Sequence, residues 1–127
     1  MKKLTIYLFA ILLSACASTE VKKTQPKTPS MNDAQLNTLL VGKTIVSNDN
    51  GTVWTTTFNP DGSLDGTYGS DSDKGTYILK NNMYCSVWKK WRKGSGVERC
   101  WSIRNRVNDY YATIKSSTGD SFKFTVR

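Results

Sequence analysis

From residue 44 onward the chain is cut into short pieces by turn signals, and that punctuation restricts its fold more than any other feature. Asn48-Asp49-Asn50-Gly51, Asn59-Pro60-Asp61-Gly62 and Asn81-Asn82 suit tight turns. Between them lie runs rich in Val, Thr, Tyr, Phe and Trp, the residues that fit a pleated surface. The segments 44–47, 53–58, 64–68, 76–80, 83–91, 98–104, 110–115 and 122–126 read as strands, with 69–74 as a polar loop. Short strands at regular spacing predict a mainly β fold. The expected architecture is an antiparallel meander of about eight strands forming a small barrel or half-barrel.

One short N-terminal helix is expected before the first strand. Ser30 to Asp33 has the S-x-x-D form of a helix start, Leu36, Leu39 and Leu40 share one face, and Gly42 is placed to end it. The turn Asn81-Asn82 sets a register in which Leu79 faces Tyr84 and Ile78 faces Cys85. With Cys85 opposite Cys100, Tyr84 faces Trp101. One face then collects Tyr77, Leu79, Tyr84, Trp88, Trp101 and Ile103, and is assigned to the core. The other collects Ile78, Cys85, Val87, Lys89, Trp91, Cys100 and Arg104.

The first residues have a different character. Met1-Lys2-Lys3 is basic, residues 4–13 are apolar but too few to span a bilayer as a helix, and Leu13-Ser14-Ala15-Cys16 follows. This ending resembles the lipobox of bacterial lipoproteins. The resemblance implies a signal peptide over 1–15, cleavage before Cys16, and a diacylglycerol (with further acylation such as palmitate) on that residue. Stable anchoring to a membrane follows from two or more acyl chains. Ala17, rather than Asp, after the lipidated residue points to the outer membrane, facing the periplasm. Residues 16–30 then read as lipidated Cys and flexible tether, with a reach of about 20 Å. Residues 31–127 form the β-domain.

In such a compartment the remaining cysteines, Cys85 and Cys100, are free to form a disulfide. Closing that loop would stabilise a small domain by roughly 3 kcal/mol. The rival reading, a metal site, is disfavoured because the chain has no His and no C-x-x-C. Asp71 and Asp73 lack the spacing of an EF-hand loop, so no metal or other cofactor is expected.

The order of pieces also looks familiar. A Leu-rich helix precedes Gly42-Lys43-Thr44; then come Phe58-Asn59-Pro60-Asp61-Gly62-Ser63, Gly75-Thr76-Tyr77, Cys85 with Trp88, and Arg99-Cys100-Trp101. Residues 34 to 127 are similar to a class of small bacterial envelope domains, common in alphaproteobacteria, with no established biochemical function. The resemblance implies a compact β-domain with one disulfide and transfers no catalytic residue. The lipoprotein inhibitors of c-type lysozyme have similar size and location, but their characteristic segments are not found here. Their basic target would also be repelled by a basic domain.

Catalysis is not expected. Without His there is no imidazole base, and Asp49, Asp61, Asp65, Asp71 and Asp73 sit where turns recruit Asp for backbone geometry. The charge distribution says more. Loss of Lys2 and Lys3 leaves 16 of the 18 basic residues against 10 acidic ones. Seven of them (Lys89, Lys90, Arg92, Lys93, Arg99, Arg104, Arg106) fall within residues 85–106, with Glu98 as the one acid there. Lys89, Lys90, Trp91, Arg92 and Lys93 form the candidate surface-binding segment. It suits an anionic lipid surface or an envelope glycan; nucleic acid is not expected in the envelope. Two other readings stand beside this one. The hairpin is a solvated edge whose lysines discourage aggregation, or the domain is a structural or protein-binding lipoprotein, including an inhibitor of an envelope-directed hydrolase.

Overall fold

A computed structural model describes residues 28–91, 96–115 and 120–127. The expected leader, Cys16 and most of the expected tether lie outside them, as do Arg92 and Lys93. The described chain forms one helix, α1 (Asp33–Leu40), and eight strands: β1 (Thr44–Asp49), β2 (Thr52–Phe58), β3 (Ser63–Tyr68), β4 (Asp71–Lys80), β5 (Met83–Trp88), β6 (Arg99–Asn105), β7 (Tyr110–Ile114) and β8 (Ser121–Val126). Each strand pairs antiparallel with the next, and the meander closes into a barrel where β8 meets β1, with Ile45 opposite Val126. Closure removes the open edges that would otherwise invite pairing with other chains.

Local sequence explains the β1–β2 and β4–β5 turns. Asn50-Gly51 and Asn81-Asn82 all have positive φ, as two-residue hairpins of the matching twist require. Segment 69–74, expected as a loop, instead continues the sheet. Gly69-Ser70 alone makes the turn, and Tyr68 pairs with Asp71. The expected register holds on β4, β5 and β6. Leu79 faces Tyr84, Ile78 faces Cys85, Tyr84 faces Trp101, and Cys85 and Cys100 stand opposite and are joined by a disulfide.

The helix begins two residues later than Ser30 suggests. Asn32 caps it: its Oδ1 accepts from the Gln35 N–H and its own N–H donates to Gln35 Oε1, both at 2.9 Å. This reciprocal pair satisfies two amides that a helix start leaves without partners. Asp33 serves elsewhere, accepting from the Asn82 N–H at 2.9 Å, which ties the helix to the β4–β5 turn. Leu36 and Leu40, both 0% exposed, enter the barrel from this end. They pack with Ile45, Phe58, Tyr77, Ile103, Ala112 and Phe124. The Tyr77 hydroxyl is not stranded there; it donates to the Asn59 carbonyl at 2.8 Å. One end of the barrel is thus plugged by the helix and a filled apolar core. All eight strands, the plug and the core lie within residues 31–127, so this part has what it needs to fold on its own.

Candidate functional site

An eight-stranded barrel has an interior wide enough either to be filled by side chains or to hold one small ligand. Among the described residues the helix end is filled and the other end is not. Above Leu64 and Tyr84 a cavity of about 730 Å³ opens between the turns that join β1 to β2 and β3 to β4. Ser47, Thr56 and Ser86 contribute hydroxyls to its wall. All four tryptophans of the chain, Trp54, Trp88, Trp91 and Trp101, line it.

These rings pack against neighbouring aromatics and against each other. Phe122 stands edge-on to both Trp54, at 4.8 Å between centroids, and Trp101, at 4.9 Å. Trp101 lies parallel to Tyr84 across the β5–β6 pair. Trp88 and Trp91 lean on each other at 4.9 Å. Two glycines make room for them. The ideal Cβ position of Gly66 lies 2.6 Å from a Trp91 ring atom and 2.7 Å from a Trp88 ring atom. That of Gly75 lies 3.1 Å from Trp88 and 2.4 Å from the Val87 carbonyl oxygen. A glycine inside a strand often marks such a close approach.

Trp91 is where the structure corrects the sequence reading most. Period-two alternation places it on the outer face beside Lys89. Instead β5 ends at Trp88, and the chain turns inward over the mouth. The cause is Asp73, an inward-facing carboxylate on β4 that is only 5% exposed. Its Oδ2 accepts from the backbone N–H of Lys90 at 2.8 Å and of Trp91 at 3.0 Å, and its Oδ1 from the Lys74 N–H at 2.8 Å. Burial pushes this carboxyl's pKa up. The donors from Trp91, Lys90 and Lys74 together outweigh burial and hold it below the ordinary carboxylate value. The Trp91 indole N–H then donates to Asp71 Oδ2 at 2.9 Å. That bond, with a further one from the Ser72 amide, keeps the Asp71 pKa low as well. Asp71 and Asp73 belong to a strand and a latch, not to a turn. Their oxygens are engaged by N–H donors.

The other expected site residues separate. Lys89 and Lys90 are exposed at the mouth end, with Lys90 Nζ 3.9 Å from Asp71. Cys85 and Cys100 are bonded to each other. Their cluster with Glu98 therefore offers no thiolate to a metal. The cavity itself went unseen in the sequence, although Gly66 and Gly75 inside strand patterns and the wealth of Trp were its signals. No helix among the described residues is long and apolar enough to cross a membrane. Comparison of the chain with known protein families, curated proteins and solved structures finds no match.

Proposed function

We propose that this protein is a membrane-anchored envelope lipoprotein that binds a small ligand in the mouth of its barrel. The observation that carries the reading is the cavity of about 730 Å³ with every tryptophan of the chain on its lining. That volume falls in the range of small-molecule sites, which are concave, mainly apolar, and marked by a few placed polar groups. The function is binding rather than catalysis. The chain has no imidazole, and both cysteines of the domain are held in the disulfide.

The anchor fits this use. The chain enters the domain at the plugged end, where the Met31 N–H donates to the Ile103 carbonyl at 2.8 Å. Lipid on Cys16 would therefore hold the plugged end toward the bilayer and present the mouth to the periplasm. Lys89 and Lys90 sit at the far end from this attachment. Docking of the basic segment on the anchoring membrane is accordingly the weaker reading. The basic rim remains available to an anionic envelope polymer.

Two results are expected. The Cys16→Ser chain takes up no radiolabelled fatty acid and leaves the membrane fraction, whereas label retained on it removes the anchor. Residues 17–127 brighten a neutral naphthylamine dye that fluoresces in apolar cavities. Ser86→Phe, which fills the cavity from its wall, abolishes the signal without lowering the melting temperature. A signal unchanged in that variant places dye binding elsewhere and removes the cavity reading.

A further inference from the structure

We propose that the ligand is an organic cation, an ammonium head on an apolar body. This deepens the cavity reading and rests on it. The aromatic wall alone would accept many apolar bodies. What narrows the choice is the sign of the charge around it. Among the described residues the lining carries three carboxylates, Asp49, Asp71 and Asp120, against one amine, Lys123.

The aromatic faces act in the same direction. A ring presents its negative face to whatever lies above it, so an ammonium group within about 6 Å of an indole is attracted, and more strongly once water is excluded. Trp54, Trp88, Trp91 and Trp101 converge on one space, so a cationic head there meets several rings at once. A carboxylate or sulfate head in the same place would face both the ring quadrupoles and the carboxylates. A neutral sugar would stack on the rings and gain nothing from the charge. Asp71 has a second role that fixes the geometry. It accepts the Trp91 indole N–H, so one residue both orients a ring and carries a charge. Lys90, at 3.9 Å from Asp71, is the competitor a ligand would displace, and its side chain is exposed enough to swing into solvent. Lys89, Lys90 and Lys123 oppose a cation at the mouth, where Lys89 and Lys90 are exposed and water weakens their repulsion; more distant positive charge is screened beyond about 10 Å at 0.1 M salt.

The test uses residues 17–127 and three ligands with one tail: hexyltrimethylammonium, hexyl glucoside and hexyl sulfate. Binding is followed through the indole N–H resonances of the tryptophans. The ammonium is expected to bind roughly tenfold more tightly than the glucoside, and the sulfate more weakly than either. Asp71→Asn keeps an oxygen for the Trp91 indole and removes the charge. It is expected to weaken the ammonium about threefold and leave the glucoside unchanged. Glucoside or sulfate binding as tightly as the ammonium overturns the cation assignment and leaves the cavity reading standing. Indole resonances that respond to none of the three overturn both.

Discussion

Gly75→Ala is expected to lower the free energy of unfolding by about 3 kcal/mol or more, measured by urea denaturation of residues 17–127. The position has ordinary strand geometry, so the cost comes from space and not from backbone torsion. A Cβ there would meet the Val87 carbonyl oxygen at 2.4 Å and the Val87 carbonyl carbon at 3.2 Å. These are main-chain atoms of the neighbouring strand, where Gly75 pairs with Trp88. They can retreat only by opening the β4–β5 ladder. Trp88 adds a further tight contact, its ring 3.1 Å from the same Cβ. Gly66→Ala is the informative contrast. The nearest atoms to its Cβ are ring atoms of Trp91 and Trp88, side chains that border empty space and can slide into it. That change should cost less stability and reduce the cavity instead. Equal stability losses at the two positions would show that the rings have no room to move, which contradicts the open cavity.

How much of this was legible in the sequence depends on how local the cause is. The hairpin at Asn81-Asn82 is legible because the turn and both its strands lie in one continuous stretch, Asp71 to Trp88. Once it was fixed, the alignment of Cys85 with Cys100 carried the register on to Trp101. Strand count followed from turns in the same way. Closure did not, since it depends on β8 finding β1, about 80 residues away, through Ile45 and Val126. The helix start was misplaced by two residues because Asp33, a plausible capping partner for Ser30, is engaged by Asn82, 49 residues away. Segment 69–74 read as a loop because it contains no apolar residue. Its inward side chains border a mouth, where burial does not require apolar groups. Trp91 failed for a related reason. Extending alternation past Trp88 assumed that the strand continued, and a carboxylate 18 residues earlier ends it.

That carboxylate supplies the second large effect. Asp73→Ala is expected to reduce stability by about 3 kcal/mol, since it removes two charge-assisted bonds that fold the Lys90–Trp91 segment over the mouth. Part of the loss is recovered, because water can reach amides at the rim and because a buried charge is no longer desolvated. Asp73→Asn should lose less, as one amide oxygen can still accept from both N–H groups. The two variants also differ from wild type in acid. The Asp73 pKa is lowered in the folded state, so unfolded chains bind the proton more readily near the ordinary aspartate value of about 3.9. Its contribution is therefore present above that pH and lost as pH falls through the lower, folded value. Asp61, Asp65 and Asp71, also lowered, add to the same slope. Removing Asp73 takes away one share. Melting temperatures of wild type and Asp73→Asn, well separated at pH 7, should converge as pH falls below about 4. The Trp91 indole N–H resonance should lose its distinct position in Asp73→Ala even at pH 7. If wild type and Asp73→Asn instead stay equally far apart down to pH 2, the carboxylate charge does not hold the latch. The inward turn of Trp91 would then need another cause.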